Sequence, residues 1–495
     1  MARSDLTAQF LTDQKLRPER PVERLRAEVL QRLSDALKSG YTEEEALQQL
    51  YPNAILDAET LRNVTTALLS GSNLLLLGPP GSGKTSLARD IAALYPRDVF
   101  AVATCPVHDD PLSLVDAEWS RTVPPCPHCR ETYGKASLET HGDYDARAVS
   151  PKDVPVRRLR LREGHGFARI QGSPEVFPDY LTGSINLAKL EEVGDPNSPL
   201  VLEPGKLMQA HRGVLLVDEL GKLPRGTQNV LLQALQENTV SPAKSRETFP
   251  ASFVAVTTSN ADDLDNINDP LTGRLVTVVV PFNEDHEKNL AIVNQALRSR
   301  TAPVVVPEVF RDAAVRLAER WRATSEGVPD LAEAGSNRTM VDMVTRAQAL
   351  TLLRGGAVVT RQDFDAGARE ALRGRVRGRS SEAFQQNLGA VDAFLKRHLP
   401  EAHNESAVRY WCLFFTTALK EDKSEGVRIV REARDVVKDP KRVEAALATS
   451  ASPKFKRFAD FVLARDGPVP DAQKATVVAS VFQYLDAAKA FEEGA

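Results

Sequence analysis

The sequence lacks the features that mark membrane and secreted proteins. None of its apolar runs approaches the roughly 20 residues that a helix needs to cross a bilayer. The stretch MARSDLTAQF contains no apolar signal-peptide core. Four cysteines in 495 residues are too few for a disulfide framework. We therefore expect a cytoplasmic protein without a membrane span.

A strong charge of one sign is also missing. The formal net charge is −4, which does not indicate nucleic-acid or membrane-surface binding by the whole chain. The hydrophobic fraction of 42% is ordinary for globular proteins, and the length allows roughly two to four domains. Composition therefore limits the class of protein, and the motifs carry the functional information.

The most informative stretch is a glycine-rich loop, GPPGSGKT, between an apolar run and a helical pattern. The run Asn73–Leu77 is typical of a buried parallel strand, and residues 85–94 have helical periodicity. The glycines allow backbone N–H groups to surround a polyphosphate, and the helix N-terminus adds partial positive charge. Lys84 can reach the β- and γ-phosphates, and Thr85 can bind Mg²⁺. The loop predicts a site formed by Gly78, Pro79, Pro80, Gly81, Ser82, Gly83, Lys84 and Thr85.

A second apolar run ends in two carboxylates. Val214–Val217 predicts a central parallel strand, and Asp218 and Glu219 follow at the end where open α/β sheets bind ligands. We expect Asp218 to hold Mg²⁺, directly or through water, and Glu219 to accept the proton of an attacking water. Phe253–Thr257 predicts a further strand, and Asn260 beyond it can orient the same water.

Two more runs complete a predicted five-stranded parallel sheet. They are Val99–Ala103, read as the second strand, and Val276–Val280, read as the fifth. The long connection after the second strand must contain inserted elements. Within it, Arg157–Arg162 alternates basic and apolar residues, which predicts a half-exposed strand. From about residue 285 the patterns are helical.

The inserted region also contains three of the cysteines. They form a Cys-x-x-His pair and a Cys-x-x-Cys pair, the arrangement from which tetrahedral zinc sites are built. The sequence predicts a structural zinc ion held by Cys105, His108, Cys126 and Cys129. Free thiols in a loop, or His141 in place of His108, are the alternatives left open. Cys412, among aromatic residues, is expected to be a buried core thiol.

Together these motifs resemble the AAA+ ATPases, and most closely the branch that contains MoxR and the magnesium-chelatase ATPase subunit. Residues 180–187 (YLTGSINL) resemble the segment before the helix-2 insert of that branch. Residues 203–219 resemble its EPG block and acidic strand end, and residues 335–376 resemble its helical lid. Residues 105–112 (CPVHDDPL) also resemble a segment of PrkA-type AAA+ proteins.

The resemblance implies roles for three further side chains. Asn260 matches the sensor-1 position, Arg338 the sensor-2 position, and Arg274 the arginine finger that reaches the γ-phosphate in a neighbouring subunit. A permanent charge and a rigid fork of donors suit arginine to both tasks. The acidic residue that the family usually has before the finger is absent here, where Gly273 stands. A finger acting in trans implies a homo-oligomeric ring, usually a hexamer.

The resemblance also implies cofactors and a domain order. ATP and Mg²⁺ are the expected cofactors. We expect a helical N-terminal region over 1–53 and an AAA+ α/β domain over 54–284 with an insert over 104–206. A helical lid over 285–379 and a helical C-terminal domain over 380–495 are expected to follow.

The implied function is a MoxR-type ATPase that acts as a chaperone, remodelling a protein partner, often a von Willebrand factor A protein. Three alternatives stay open. They are the ATPase subunit of a magnesium chelatase, a PrkA-like protein related to kinases or proteases, and a scaffold that keeps ATP as a structural ligand. Glu219 argues against the scaffold, since a scaffold needs no base that activates water.

Overall fold

The computed structural model of the protein describes residues 6–402 except 197, 243–244, 246, 300–303, 305, 326–334, 356–358, 360 and 379. The chain divides into two compact units. The first extends to Pro281 but omits Pro80–Ser82, which group with the second unit that begins at Phe282. Among the described residues, no helix is both long enough and apolar enough to cross a membrane.

Four helices precede the first strand: α1 (Ala8–Asp13), α2 (Pro21–Lys38), α3 (Glu43–Leu50) and α4 (Ala58–Leu69). The capping box that opens α3 explains where this helix begins. The Thr42 side chain accepts a hydrogen bond from the Glu45 N–H, and the Glu45 carboxylate accepts one from the Thr42 N–H. Leu25 and Leu47 bury the apolar faces of α2 and α3 in the core of the first unit.

The glycine-rich loop joins β1 (Asn73–Leu77) to α5 (Lys84–Leu94), and β2 (Asp98–Val102) follows. The inserted region contains α6 (Leu112–Val115), α7 (Ala117–Thr122), α8 (Pro127–Tyr133), α9 (Lys135–His141), β3 (Val156–Arg160), β4 (Arg162–Glu163), β5 (Gly166–Gln171), α10 (Pro178–Thr182), β6 (Gly183–Ile185), α11 (Leu187–Val193), β7 (Leu202–Pro204) and α12 (Lys206–Gln209). The unit ends with β8 (Val214–Asp218), α13 (Arg225–Glu237), β9 (Thr239–Val240), β10 (Phe249–Pro250), β11 (Val254–Ser259), α14 (Asp269–Thr272) and β12 (Leu275–Val279). Short 3₁₀ helices lie at Ala146–Ala148, Pro199–Val201, Leu220–Lys222 and Ala261–Asn266.

Six strands form the central sheet in the order β12–β1–β11–β8–β5–β4, and every adjacent pair is parallel. Both faces are covered, because Leu75 contributes to the core on one side and Leu74 and Leu76 to the core on the other. All five residues of β8 are buried, as strands in a doubly covered parallel sheet require. The predicted parallel α/β sheet is confirmed, with six strands instead of five.

One predicted strand lies outside this sheet. β2 pairs antiparallel with β3, so that Phe100 faces Arg158 in a separate two-stranded sheet. In the central sheet, β8 pairs with β5, a strand that was not predicted from the sequence. Glycine permits this neighbour, since a Cβ at Gly213 would lie 1.7 Å from the carbonyl oxygen of Gly166. The predicted half-exposed Arg-rich strand is present as β3.

The second unit is helical, as its sequence patterns predict. Its elements are α15 (His286–Arg298), α16 (Glu308–Ser325), α17 (Asn337–Leu353), α18 (Arg361–Arg373) and α19 (Ser381–Ala402). The rings of Phe310 and Phe364 stack in its core with centroids 5.2 Å apart. A Cβ at Gly367 would lie 2.7 Å from the Ala347 nitrogen, so glycine allows α17 and α18 to pack closely. Cys412 and most of the predicted C-terminal domain lie outside the described residues.

Candidate functional site

The glycine-rich loop turns sharply and brings Lys84 back over its own backbone. Gly81 and Gly83 have φ of +78° and +107°, a left-handed conformation that glycine adopts without steric cost. Lys84 Nζ donates to the carbonyl oxygens of Gly78 and Pro79, both at 2.8 Å. Burial lowers the pKa of Lys84 to about 8. The loop therefore holds a largely buried cationic donor beside its own carbonyl groups.

Ser82 adds a polar group to the loop. Its hydroxyl is buried and has no hydrogen-bond partner among the described residues. Buried polar atoms are normally paired, so an unpaired one indicates a ligand or an ordered water. A phosphate oxygen would accept from this hydroxyl and from the Lys84 ammonium, and the loop therefore fits the phosphate groups of a nucleotide.

Asp218 lies at the end of β8, beside the first residues of α5. Its Oδ1 accepts from Thr85 Oγ1 at 3.0 Å and from Thr258 Oγ1 at 2.8 Å. Its Oδ2 accepts from Arg169 Nη2 at 2.7 Å. The structure thus brings together the hydroxyl and the carboxylate expected to bind Mg²⁺, and such oxygen atoms are the ligands that Mg²⁺ prefers.

Glu219 is held in place by its backbone and by both carboxylate oxygens. Its φ of +57° is left-handed, and its N–H donates to Thr258 Oγ1 at 3.0 Å. Gln171 Nε2 donates to Oε2 at 2.9 Å, and Lys222 Nζ donates to Oε1 at 2.7 Å. These contacts fix a half-buried carboxylate next to Asp218, as the orientation of a water-activating base requires.

The glycine that directly follows β5 makes this arrangement possible. A Cβ at Gly172 would lie 2.0 Å from the carbonyl oxygen of Glu219 and 2.9 Å from that of Asp218. Gly172 N–H also donates to the Asp218 carbonyl oxygen at 2.7 Å. The end of β5 therefore positions the two acidic residues through direct backbone contact.

Four residues of this network were not predicted from the sequence: Arg169, Gln171, Lys222 and Thr258. Arg169 and Gln171 are two apart on β5 and therefore share a face of the strand. The alternation in GFARIQ was the available signal, and recognition of β5 as the neighbour of β8 would have brought both side chains to the acidic residues.

The three residues assigned through the resemblance differ in placement. Asn260 follows β11, and its Oδ1 accepts from Lys84 Nζ at 3.2 Å. Arg274 is exposed and donates to the carbonyl oxygen of Pro270 at 2.8 Å and to Gln236 Oε1 at 2.9 Å. Arg338 is exposed on α17, in the second unit. Asn260 therefore contacts the lysine of the loop, and the roles of both arginines stay predictions.

The cysteines of the inserted region converge, but with a different fourth residue from the one predicted. The ligand atoms of Cys105, Asp109, Cys126 and Cys129 all lie within 4.8 Å of one another, and all four residues are buried. Burial, together with the neighbouring Cys105 thiolate, raises the pKa of Asp109 to about 8. Thiols and a carboxyl group so close together form a candidate metal site.

His108, the predicted fourth ligand, lies outside this group in the structure. Its φ of +63° reverses the chain immediately before Asp109. Its ring stacks on His165 with centroids 4.8 Å apart, and Nε2 lies 3.4 Å from the Gly164 carbonyl oxygen. The side chain of His141, the alternative ligand, is outside the described part of the structure.

Comparison with known proteins identifies relatives of two kinds. The PrkA AAA domain family matches residues 69–315. The magnesium-chelatase 38 kDa subunit of Acidiphilium rubrum is 27% identical over 360 residues, which cover 66% of this chain and 91% of that protein. The ATP-dependent protease PrkA of Bacillus subtilis is 25% identical over 266 residues, which cover 48% of this chain and 40% of that protein.

Among solved structures, a cryo-EM complex of the BchI and BchD subunits of magnesium chelatase contains a similar chain. It has a TM-score of 0.32 and 21% identity, and covers 68% of this chain and 99% of that one. None of these relatives is a MoxR protein, so the MoxR assignment stays a prediction. The family-level similarity implies ATPase activity with ATP and Mg²⁺ as cofactors. The chain therefore has the AAA+ P-loop fold and is similar to the magnesium-chelatase ATPase subunits and to PrkA.

Proposed function

We propose that this chain hydrolyses ATP with Mg²⁺ and uses the energy to act on a protein partner. The observation that carries the proposal is the pairing of two acidic residues with different surroundings. Asp218 faces the Thr85 hydroxyl, whereas Glu219 is oriented by Gln171 and Lys222. A site that only bound nucleotide would need the first residue and not the second.

Each residue has a distinct task in this proposal. The loop N–H groups, Lys84, Thr85 and Asp218 would hold Mg²⁺–ATP, which supplies the γ-phosphorus and the leaving diphosphate. Glu219 accepts a proton from the attacking water, and its two donors keep the carboxylate aimed at that water. Asn260, beside Lys84, accepts or donates a hydrogen bond to orient the same water.

The test compares ATPase rates of the wild-type chain, Glu219→Gln and a matched control, Glu191→Gln. Glu191 is exposed on α11 and is absent from the described contacts of the site. General-base removal is expected to lower kcat by about 10²- to 10⁴-fold, while nucleotide affinity stays within a few-fold. The control should match the wild type. Hydrolysis by Glu219→Gln at the wild-type rate would show that another residue activates the water.

Two classes of protein partner are candidates. The relatives favour a chelatase-type partner over a MoxR-type one. The chain spans most of the Acidiphilium chelatase subunit, which supports an ATPase subunit that drives a larger chelatase-type assembly. A MoxR-type remodeller of a von Willebrand factor A protein is the other reading. The Glu219→Gln chain, trapped with ATP, serves as bait, and the identity of the retained protein separates the two classes.

A PrkA-like activity is the second candidate function, because the PrkA AAA domain match includes the loop and both acidic residues. It predicts transfer of the γ-phosphate to a protein hydroxyl, or proteolysis in the presence of ATP. Labelled γ-phosphate separates a kinase from the motor, and analysis of peptide products detects a protease. Release as inorganic phosphate without peptide fragments supports the motor, label on a protein supports a kinase, and peptide fragments support a protease.

A further inference from the structure

We propose that Cys105, Asp109, Cys126 and Cys129 bind one zinc ion, which acts as a structural brace of the inserted region. This site lies outside the residues that hold the nucleotide, and it replaces the ligand set that spacing alone predicts. The proposal is independent of the proposed ATPase activity.

The distances match a single tetrahedral ion. The four ligand atoms lie within 4.8 Å of one another, and the sulfurs of Cys105 and Cys126 are 3.7 Å apart. A tetrahedral ion with Zn–S bonds of about 2.3 Å places its sulfur ligands about 3.8 Å apart. All three cysteines are free, so this separation belongs to thiols that face a common point.

Backbone N–H groups donate to two of the three sulfurs and to the carboxylate. The Asp109 N–H donates to Cys105 Sγ at 3.3 Å, and the Cys129 N–H donates to Cys126 Sγ at 3.4 Å. The Cys126 N–H donates to Asp109 Oδ2 at 2.7 Å. Such outer-shell hydrogen bonds stabilise thiolates and orient metal ligands, and here the ligands themselves supply the donors.

The burial of the four groups favours a bound cation over unpaired charges. Asp109 is 1% exposed and the three cysteines are at most 2% exposed. In the described part of the chain, no arginine or lysine forms an ion pair with Asp109. An unpaired charge in such a position is costly. A divalent ion offsets two of the four negative charges that three thiolates and one carboxylate would carry.

The composition of the site favours zinc. Three thiolates and one carboxylate are ligands that zinc accepts in tetrahedral geometry. An iron–sulfur cluster would need its protein ligands farther apart, because several metal atoms and sulfides would separate them. Four protein ligands also leave no open position for a reacting molecule, which indicates a structural metal.

The ion would join two segments that are separate in sequence and would brace the start of β8. It would link the loop at Cys105 and Asp109 to the N-terminus of α8, where Cys126 lies. Asp110, which follows the proposed ligand Asp109, pairs with Arg212 at 2.9 Å. Arg212 in turn precedes β8. A chain of contacts therefore runs from the proposed ion to the strand that ends in Asp218.

The first test is metal content. The full chain, purified under reducing conditions without metal-affinity resin, is expected to contain one zinc per chain by elemental mass spectrometry. Replacement by Co²⁺ should give an intense sulfur-to-cobalt charge-transfer band and the visible bands of tetrahedral cobalt. The wild-type spectrum reports thiolate ligation even if every cysteine variant fails to fold. A chain that takes up neither zinc nor cobalt after reduction would overturn the proposal.

Variants test the ligand set. Loss of an outer-shell partner lowers metal affinity by about 10- to 100-fold. Cys126→Ser and Asp109→Ala remove proposed ligands and are expected to lower zinc affinity by more than that. Three matched controls should keep full zinc content: His108→Ala, His128→Ala and Cys412→Ser. His128 is the sharpest control, because it lies between two of the cysteines and its buried Nδ1 has no described partner. Loss of zinc in His108→Ala or His128→Ala, with retention in Asp109→Ala, would refute the assignment of Asp109.

Discussion

The nucleotide site and the cysteine cluster carry equally specific sequence patterns, but the two patterns determine structure differently. In the glycine-rich loop the order of residues along the chain dictates their positions, so Lys84 and Thr85 lie where the motif requires. In the inserted region, one left-handed residue, His108, decides which neighbour faces the thiols. Spacing therefore predicted which residue types come together in both regions, and it matched the individual residues in only one.

Arg274 provides the strongest test of the predicted nucleotide site. Its described hydrogen bonds go to Pro270 and Gln236. If it acts in a neighbouring subunit, Arg274→Ala should lower kcat by about 10³- to 10⁵-fold, the effect of arginine fingers elsewhere. Mixing Arg274→Ala with Glu219→Gln should then restore activity, since some interfaces combine an intact Glu219 with an intact Arg274.

The control mixes Arg274→Ala with the double variant Glu219→Gln/Arg274→Ala. This mixture contains no interface with both residues intact and should stay inactive. Particle mass, read in the same samples, shows whether subunits associate and exchange. Recovery in the first mixture alone supports an oligomer with shared sites. Full activity of Arg274→Ala, or of a monomer, would exclude the trans-acting role and remove the main argument for a ring.

Gly172 tests whether the inserted region contributes to the nucleotide site. In Gly172→Ala the new methyl group would meet the Glu219 carbonyl oxygen at 2.0 Å, and backbone on both sides must shift. A displacement of about 1 Å at a catalytic group can cost about 100-fold in rate. We expect a loss of that size in kcat, with nucleotide affinity retained through Lys84.

Gly226→Ala is the matched control, because a Cβ at this position in α13 meets nothing within 4 Å. It should leave the ATPase rate unchanged. Thermal unfolding of both variants separates local displacement from general destabilisation. A Gly172→Ala chain with kcat within twofold of wild type would show that the end of β5 does not position Glu219.

The parts of the site that could be predicted share a physical basis. The carboxyl ends of parallel strands meet at one edge of a sheet, so three apolar runs were enough to bring Asp218, Glu219 and Asn260 near the loop. The parts that could not be predicted depend on pairing between distant strands. β2 resembled a sheet strand locally, but Phe100 lies opposite Arg158 in another sheet, and nothing local to β5 shows that it adjoins β8.

His286, in the second unit, gives the smallest expected effect, a change in the pH dependence of stability. Neither a motif nor a spacing in the sequence predicted a role for this residue. Its ring nitrogens lie 2.8 Å from Asp312 Oδ1 and 3.0 Å from Glu319 Oε2. These hydrogen bonds raise the pKa of His286 from 6.5 to about 9. A pKa raised in the folded state contributes stability that is complete below pH 6.5 and is lost as the pH rises through 9.

We therefore expect the unfolding midpoint of the wild-type chain to fall between pH 6.5 and 9 more than that of His286→Gln. Because the histidine is partly exposed, the difference should be roughly 1 kcal/mol, or a few degrees. Asp312 also pairs with Arg316, so the carboxylate keeps one cationic partner in the variant. Calorimetry across this pH range, with fluorescence of Trp321 in the same unit, provides the measurement. Parallel curves for the two chains would show that His286 titrates at its ordinary pH and that the two carboxylates do not hold its proton.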